Sequence, residues 1–306
     1  MLSPLVCLLA LILDQRPGKS PQLDPVVAFA RLAAALGERL HAGDHLGAGV
    51  QRLRGILGLL LLVVPVSMLA AGLAAVPYAG VLADLAVLYF ALDARRLRDT
   101  LLAVDGHLQA GELDTARTGL ASLSQQDTRA MDAETLSRLA VEFTLEQPLD
   151  RLFAIIFWYL LAGAGGVVGY WTVSQLDRNW GHANPRYRHF GWAAARLDDL
   201  LNWPPTQLTA LGYALMGRGL GAWRCWRSQR RRWKSPKGGA LLAAGGGALG
   251  LQLGGATRYF EQPVQHPALG EGLLPSPRDP RRARHLVYRT LGLWLGLPLL
   301  VAVFGL

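Results

Sequence analysis

The chain has 306 residues, 51% of them apolar and only 17% charged, against about 25% charged in ordinary soluble domains. Its mean hydropathy is +0.23. That composition excludes disorder, collagen-like repeats and a disulfide scaffold, and two ordinary soluble domains would leave large apolar patches wet. The 31 Lys and Arg against 22 Asp and Glu raise the pI to about 10.1. The basic clusters lie beside apolar spans, where the positive-inside bias explains them without nucleic acid. The expectation is an all-α, polytopic integral membrane helical bundle.

In chain order, residues 1–13 are apolar, with no basic residue ahead and no small-residue cleavage site behind. They predict an uncleaved N-terminal helix, partly inserted or packed on others, since a full span needs ~20 residues. Gly55–Pro77 is a charge-free span that Pro65 can kink, and Tyr78–Leu92, with only Asp84 charged, returns the chain. Residues 93–151 hold 11 of the 22 acids and seven arginines, too polar for lipid. Apolar residues recur at helical spacing, first over Leu113, Ala116, Leu120 and Leu123, then over Leu136, Leu139, Ala140 and Phe143. Asp132 stands where it can cap the second helix. This segment predicts a helical extramembrane hairpin inserted between membrane segments.

Leu152–Val173 is the next charge-free run, with aromatics near both ends, and partial insertion fits its flanks best. Thr206–Trp223 is a weaker span interrupted by Arg218, and 224–237 carries seven positive charges and no acid. Residues 239–257 are Gly/Ala-rich and predict a re-entrant or buried helix. Thr290–Leu306 can span if its helix begins near Leu286.

Three motifs mislead. Gly18-Lys19-Ser20 resembles the end of a phosphate-binding loop, but the glycine needed five positions earlier is Leu13. Gly245-x-Gly247-x-x-Gly250 matches a dinucleotide fingerprint without a preceding strand, and close helix packing is the better reading. His41 and His45 enclose Gly43 in a polar linker and lack further zinc ligands. Cys7 and Cys225 carry no metal or disulfide pattern.

Three constellations remain. Glu142, Glu146 and Asp150 recur at i, i+4 and i+8, one helical stripe if Pro148 only kinks it. The stripe is either neutralised by Arg138 and Arg151 or is a divalent-cation site, because magnesium takes one or two carboxylates plus phosphates. Arg186, Arg188, Arg196, Asp198, Asp199 and Asn202 follow in one block. Phe190–Trp203 reads there as a helix stopped by Pro204-Pro205, which leaves Asp198 and Asp199 against the wrong end of the helix dipole. The arginines suit phosphate, while an Arg196–Asp199 ion pair is the bland alternative. Ser235-Pro236-Lys237-Gly238-Gly239 is a turn opening a helix, whose free N–H groups and lysine suit an anion.

Taken together, these blocks resemble the adenosylcobinamide-phosphate synthase family of cobalamin biosynthesis (CbiB/CobD-like). The resemblance rests on RYRHFGWAAARLDDLLNWPPTQLT (186–209), SPKGG (235–239) and GALGLQLGG-x3-Tyr (247–259). Upstream it includes LDTAR (113–117), QQDT (125–128) and AVEFTLEQPLDRLFAIIFW (140–158), and it begins at Asp24-Pro25-Val26. The sequence departs from the family pattern at Asp24, Gln147, Gln207, Lys237 and in SQLDRNWGH (174–182).

The resemblance implies one membrane domain over 1–306, in a bacterial inner membrane. The implied reaction is ATP-dependent amide ligation of an aminopropanol phosphate, or related amino alcohol, to adenosylcobyric acid. ATP and Mg2+ are implied with it, and the partners are a corrinoid, the amino alcohol phosphate and the lipid bilayer, with homo-oligomerisation open. Carried over by position, Asp198, Asp199, Glu142 and Glu146 are catalytic. Arg186, Arg188, Arg196, Asn202 and Lys237 bind substrate or phosphate, and Asp127, Asp150 and Asp177 bind metal. The N-terminal QLDPVVAFARLAAAL and the C-terminal span also resemble AmpE-type inner-membrane proteins, which implies a non-catalytic regulator linked to β-lactamase induction.

Overall fold

Charge-free runs and helical periodicity fold as helices, and the computed structural model describes residues 3–16, 25–41, 47–123, 126–181, 187–259 and 262–304. The chain divides into one unit of Met1–Asp93 with Ala154–Trp203 and another of Ala94–Phe153 with Pro204–Leu306. Among the described residues three helical stretches are long and apolar enough to cross a membrane: Ala48–Ala74, Ala133–Trp180 and Asp279–Phe304.

The first unit contains α1 (Ser3–Asp14), α2 (Pro25–His41), α3 (Ala48–Ala74), α4 (Gly80–Ala91) and a later helix, Ala154–Trp180, which packs on all four. The α4 helix matches the predicted second apolar run but, at 12 residues, is only about 18 Å long. Small residues set the close approach of α3 to Ala154–Trp180: a Cβ on Gly165 would lie 2.9 Å from the Ala71 side chain and 3.0 Å from the Ser67 carbonyl. The core gathers Leu59, Leu62, Leu176, Trp180 and Phe190. The Trp180 indole N–H donates to the Ala33 carbonyl at 3.0 Å, which satisfies a polar group that burial would otherwise penalise. Leu57, Leu60, Leu61, Val64 and Met68 of α3 face outward, as lipid contact requires. His41 is buried edge-on against Tyr187 and Phe190, so it is a core histidine. His45 and the Gly18-Lys19-Ser20 turn lie outside the described residues.

The second unit begins with α5 (Ala94–Ala110), α6 (Leu113–Leu123) and α7 (Ala133–Pro148). Among the described residues of 94–148 there are three helices where the periodicity predicted a hairpin. Leu97, Leu101, Val104 and Leu108 supply the buried stripe of the added helix. Val104, Leu108, Ala116, Leu120, Leu136, Leu139 and Ala140 form the core of these three helices. Asp132 caps α7 as expected, accepting the Thr135 N–H at 2.8 Å. That bond holds the Asp132 carboxyl below the usual carboxylate range.

After α7 a π-helical turn, Leu149–Phe153, leads into α8 (Ala154–Trp180). Pro148 lacks the N–H of a regular ladder, the Leu149 N–H donates to the Glu146 carbonyl, and the Leu145 carbonyl takes the Tyr213 hydroxyl at 2.8 Å. Within α8, Gly163 adopts φ +61 at a kink, a conformation that favours glycine.

Next come α9 (Trp192–Met216), α10 (Gly219–Gln229), α11 (Pro236–Leu249), the hairpin β1 (Gln252–Tyr259) and β2 (Gln262–Gly270), and α12 (Asp279–Phe304). Three expectations are corrected here. First, α9 runs through Pro204 and Pro205 instead of stopping. Pro205 leaves the Leu201 carbonyl without its helical donor, and the Trp158 indole N–H fills that place at 3.2 Å. Asp198 and Asp199 are thus mid-helix, and the dipole argument for them fails. Second, the run Thr206–Trp223 is not one span: the helix ends at Met216 and restarts after Arg218, whose N–H donates to the Ala248 carbonyl at 2.9 Å.

Third, only the first part of 239–257 is helical. Gly250 at φ +70 caps α11, and the chain then pairs as an antiparallel ladder with an irregularity between Leu253 and Gly255. Among the described residues the fold is all-α apart from this two-stranded hairpin. Every residue of α11 from Gly238 to Leu249 is buried, with Gly247 against the backbone of Gly221 in α10. Close packing is what the glycines serve.

Candidate functional site

The α7 stripe is retained. Glu142 is buried, and its Oε1 accepts the Gly254 N–H from β1 at 2.7 Å, with Arg138 one turn back supplying positive charge. Asp150, carried by the π-helical turn, receives the Lys237 ammonium on both oxygens, at 3.1 and 2.9 Å. Glu146 stands between them, within electrostatic reach of Lys237, Asp150 and Glu142. Among the described residues no hydrogen bond to Glu146 is seen. Its Oε1 lies 2.5 Å from where a Cβ on Gly238 would stand, so the carboxylate rests on the first turn of α11.

That first turn is built as the sequence indicates. Ser235 is the N-cap and its side chain accepts the Gly238 N–H at 3.4 Å, while Pro236 opens the helix where its missing N–H costs nothing. Lys237 follows, so a lysine and a helix N-terminus both face the acid ladder.

Two aromatic residues absent from the sequence reading complete this site. The Trp233 ring lies against Gly238 and Gly254, 3.1 and 3.2 Å from the positions their Cβ atoms would take. His266 of β2 stacks on Trp233, with ring centroids 4.5 Å apart and planes 22° from parallel. Burial, with Arg138 and Lys234 nearby, pushes the His266 imidazole below its ordinary pKa, so it is held neutral. A tryptophan in a basic loop and a histidine 33 residues on give no sequence signal. The glycines that admit the indole were the available clue.

The other assigned residues are placed differently. Asp198 is buried in the first unit and accepts the Asn202 amide at 2.9 Å, while Asn202 accepts the Tyr170 hydroxyl at 3.0 Å. The i, i+4 pairing of Asp198 and Asn202 is as the spacing implies. Asp199 and Arg196 point outward, 3.9 Å apart, which is the bland alternative. Arg188 is exposed, and Arg186 lies outside the described residues.

Asp177 belongs to the first unit, and its carbonyl accepts the Gly181 N–H at 2.7 Å. Asp127 belongs to the second unit and is held by Arg129, which donates to both oxygens at 2.9 Å. Among the described residues no three His, Cys, Asp or Glu side chains gather as a metal cage. What the structure brings together is Glu142, Glu146, Asp150 and Lys237.

The chain is matched by the model of the family described as CobD/CbiB protein, over residues 7–287. It is 41% identical over 305 residues to a cobalamin biosynthesis protein CobD of Chromobacterium violaceum, covering 99% of this chain and 98% of that one. It is 43% identical over 296 residues to the protein of that name from Stutzerimonas stutzeri, covering 97% and 95%. A Mycobacterium tuberculosis protein of the same name is 34% identical over 283 residues, covering 90% and 88%. No solved structure matches the chain. With family-wide coverage and relatives above 40% identity along nearly the whole length, the chain belongs to the CobD/CbiB family.

Proposed function

We propose that this protein acts in cobalamin biosynthesis as a membrane-bound adenosylcobinamide-phosphate synthase-like ligase of a bacterial inner membrane. It would join the amine of an aminopropanol phosphate, or related amino alcohol, to a carboxylate of adenosylcobyric acid, with ATP cleaved and the displaced carboxylate oxygen leaving on phosphate. The observation that carries the reading is the acid ladder Glu142–Glu146–Asp150 facing Lys237 at the start of α11. It stands in a chain whose relatives are cobalamin biosynthesis proteins.

The donor set fits magnesium with a nucleotide. Mg2+ usually takes one or two carboxylates plus phosphate oxygens, and Asp150, one turn beyond Glu146, is the carboxylate that would hold it. Bound there, the metal would supply neutralisation of phosphate charge. The chain's own residues do the rest. Lys237 and the positive end of the α11 dipole hold a phosphate. Glu142 is locked by Gly254 and fixes the hairpin against α7. Glu146 takes the proton that the amine loses as the amide forms.

The test is complementation of a cobalamin auxotroph that lacks its own synthase. Growth on cobyric acid, lost with Glu146→Gln while the variant is present in the membrane, supports the ligase. Failure to grow on cobyric acid with rescue by cobinamide overturns it and favours the AmpE-like regulator.

A further inference from the structure

The amphipathic helix α10 has a second face that the ligation does not use. Gly221, Ala222, Cys225 and Trp226 are buried, and this side packs on α11 and β2. On the opposite side Leu220, Trp223, Arg224, Arg227 and Ser228 line an open groove of about 610 Å3. Leu220 is 84% exposed and Trp223 49%. A leucine and a tryptophan presented to water on one helix face are costly unless something apolar covers them.

The composition of this face says what covers it. Trp223 is held edge-on against the buried Trp226, with ring centroids 5.3 Å apart, so its indole is fixed in an outward position. Tryptophan is the residue favoured at the headgroup level, where an apolar ring and a polar N–H meet both phases. Arg224 and Arg227 flank it and are exposed. Arg224 also reaches Glu271 at 3.3 Å, so it is oriented. From residue 224 to 237 the chain carries seven positive charges and no acid. The preceding helix, α9, exposes Leu208, Leu211 and Leu215. An apolar strip edged by arginines on a helix too polar to cross a bilayer is the pattern of an interfacial segment.

We infer that α10 lies in the membrane interface and seats the headgroups of anionic phospholipids. Leu220 and Trp223 enter the acyl boundary and Arg224 and Arg227 meet the lipid phosphates. The charge is complementary to an anionic leaflet, and long arginine stems allow the apolar and charged groups to sit at different depths.

The test uses the full-length protein in detergent micelles titrated with phosphatidylglycerol or phosphatidylcholine. Lipid retention is read by native mass spectrometry and the thermal unfolding midpoint is followed in parallel. The expected result is about a tenfold or greater preference for phosphatidylglycerol. R224Q/R227Q loses most of that preference, R224K/R227K keeps it, and R281Q/R289Q, which removes two charges elsewhere, leaves it intact. Wild-type protein with no such preference overturns the inference. An unaltered preference in a folded R224Q/R227Q protein does the same. Displacement of the lipid by glycerol phosphate would assign the face to a free phosphate. Cross-linking of a Leu220→Cys protein to a second copy in proteoliposomes would assign it to self-association. Either result also overturns it.

Discussion

Trp158 donates its indole N–H to the Leu201 carbonyl at 3.2 Å, the carbonyl that Pro205 leaves without a helical donor. A side chain thus replaces one rung of the α9 ladder and lets the helix pass through two prolines. Trp158→Phe is expected to cost about 1 kcal/mol or slightly more, since a carbonyl would be left unsatisfied. In a Pro205→Ala background the backbone donor returns, and the cost of Trp158→Phe should shrink. A double-mutant cycle on thermal unfolding in detergent checks this, and strict additivity would contradict it.

Glu146→Gln is expected to reduce amide formation by about 10²–10⁴-fold if the side chain handles a proton in the reaction. Its folding should change little, because no hydrogen bond to it is seen among the described residues. Rates from purified protein supplied with cobyric acid, amino alcohol phosphate, ATP and magnesium provide the measurement. Full activity in this variant would remove Glu146 from the chemistry.

Lys237 and Asp150 form a partly buried pair. Lys237→Met should destabilise the protein by about 1–3 kcal/mol by leaving the carboxylate without its partner. Asp150→Asn should do the same from the other side. The double variant is expected to be more stable than the sum of the two losses predicts, as a coupled pair requires.

Gly254 sits at φ +79 with the Pro267 carbonyl directly beside the place a Cβ would occupy. Gly254→Ala combines left-handed backbone strain with a clash and should cost about 2–4 kcal/mol. It also displaces the N–H that holds Glu142. A lowered unfolding midpoint together with reduced ligation is expected, whereas Gly292→Ala, where nothing lies within 4 Å, should be near neutral.

The depressed pKa of His266 makes stability depend on pH in one direction. A base whose folded pKa lies below its unfolded value, ~6.5, binds fewer protons when folded. Its contribution is fully present above the unfolded pKa and is lost as the pH falls through the folded one. Unfolding midpoints should therefore drop between about pH 7 and pH 5, and His266→Phe should flatten that slope. An unchanged slope would place the acid sensitivity elsewhere.

The acid ladder was legible because helical spacing alone puts Glu142, Glu146 and Asp150 on one stripe. The Ser235-Pro236 helix start was legible for the same local reason. Three features were not, each for its own reason. The prolines of α9 read as a stop because the compensating indole is over forty residues away. Residues 252–257 read as helix because Gly250 ends α11 through a left-handed cap that composition does not reveal. Trp233 and His266 were missed because their stack depends on hairpin register, which period-counting along one strand cannot supply. Asp127, assigned to metal by its position in a motif, is held by Arg129 on both oxygens, a partner that the motif does not reveal.

Helix α11 carries a last consequence. Gly245, Gly246 and Gly247 each meet a neighbour where a methyl group would have to go: the Leu145 side chain, the backbone of Gly270 and Leu251, and the backbone of Gly221. Two of those neighbours are main chain and cannot step aside by changing rotamer. Evolutionary latitude along this helix is accordingly narrow, although it contributes few reacting groups. An unvarying run of glycines among relatives would there record steric necessity, and drift would be free to accumulate on the outward faces of helices such as α3.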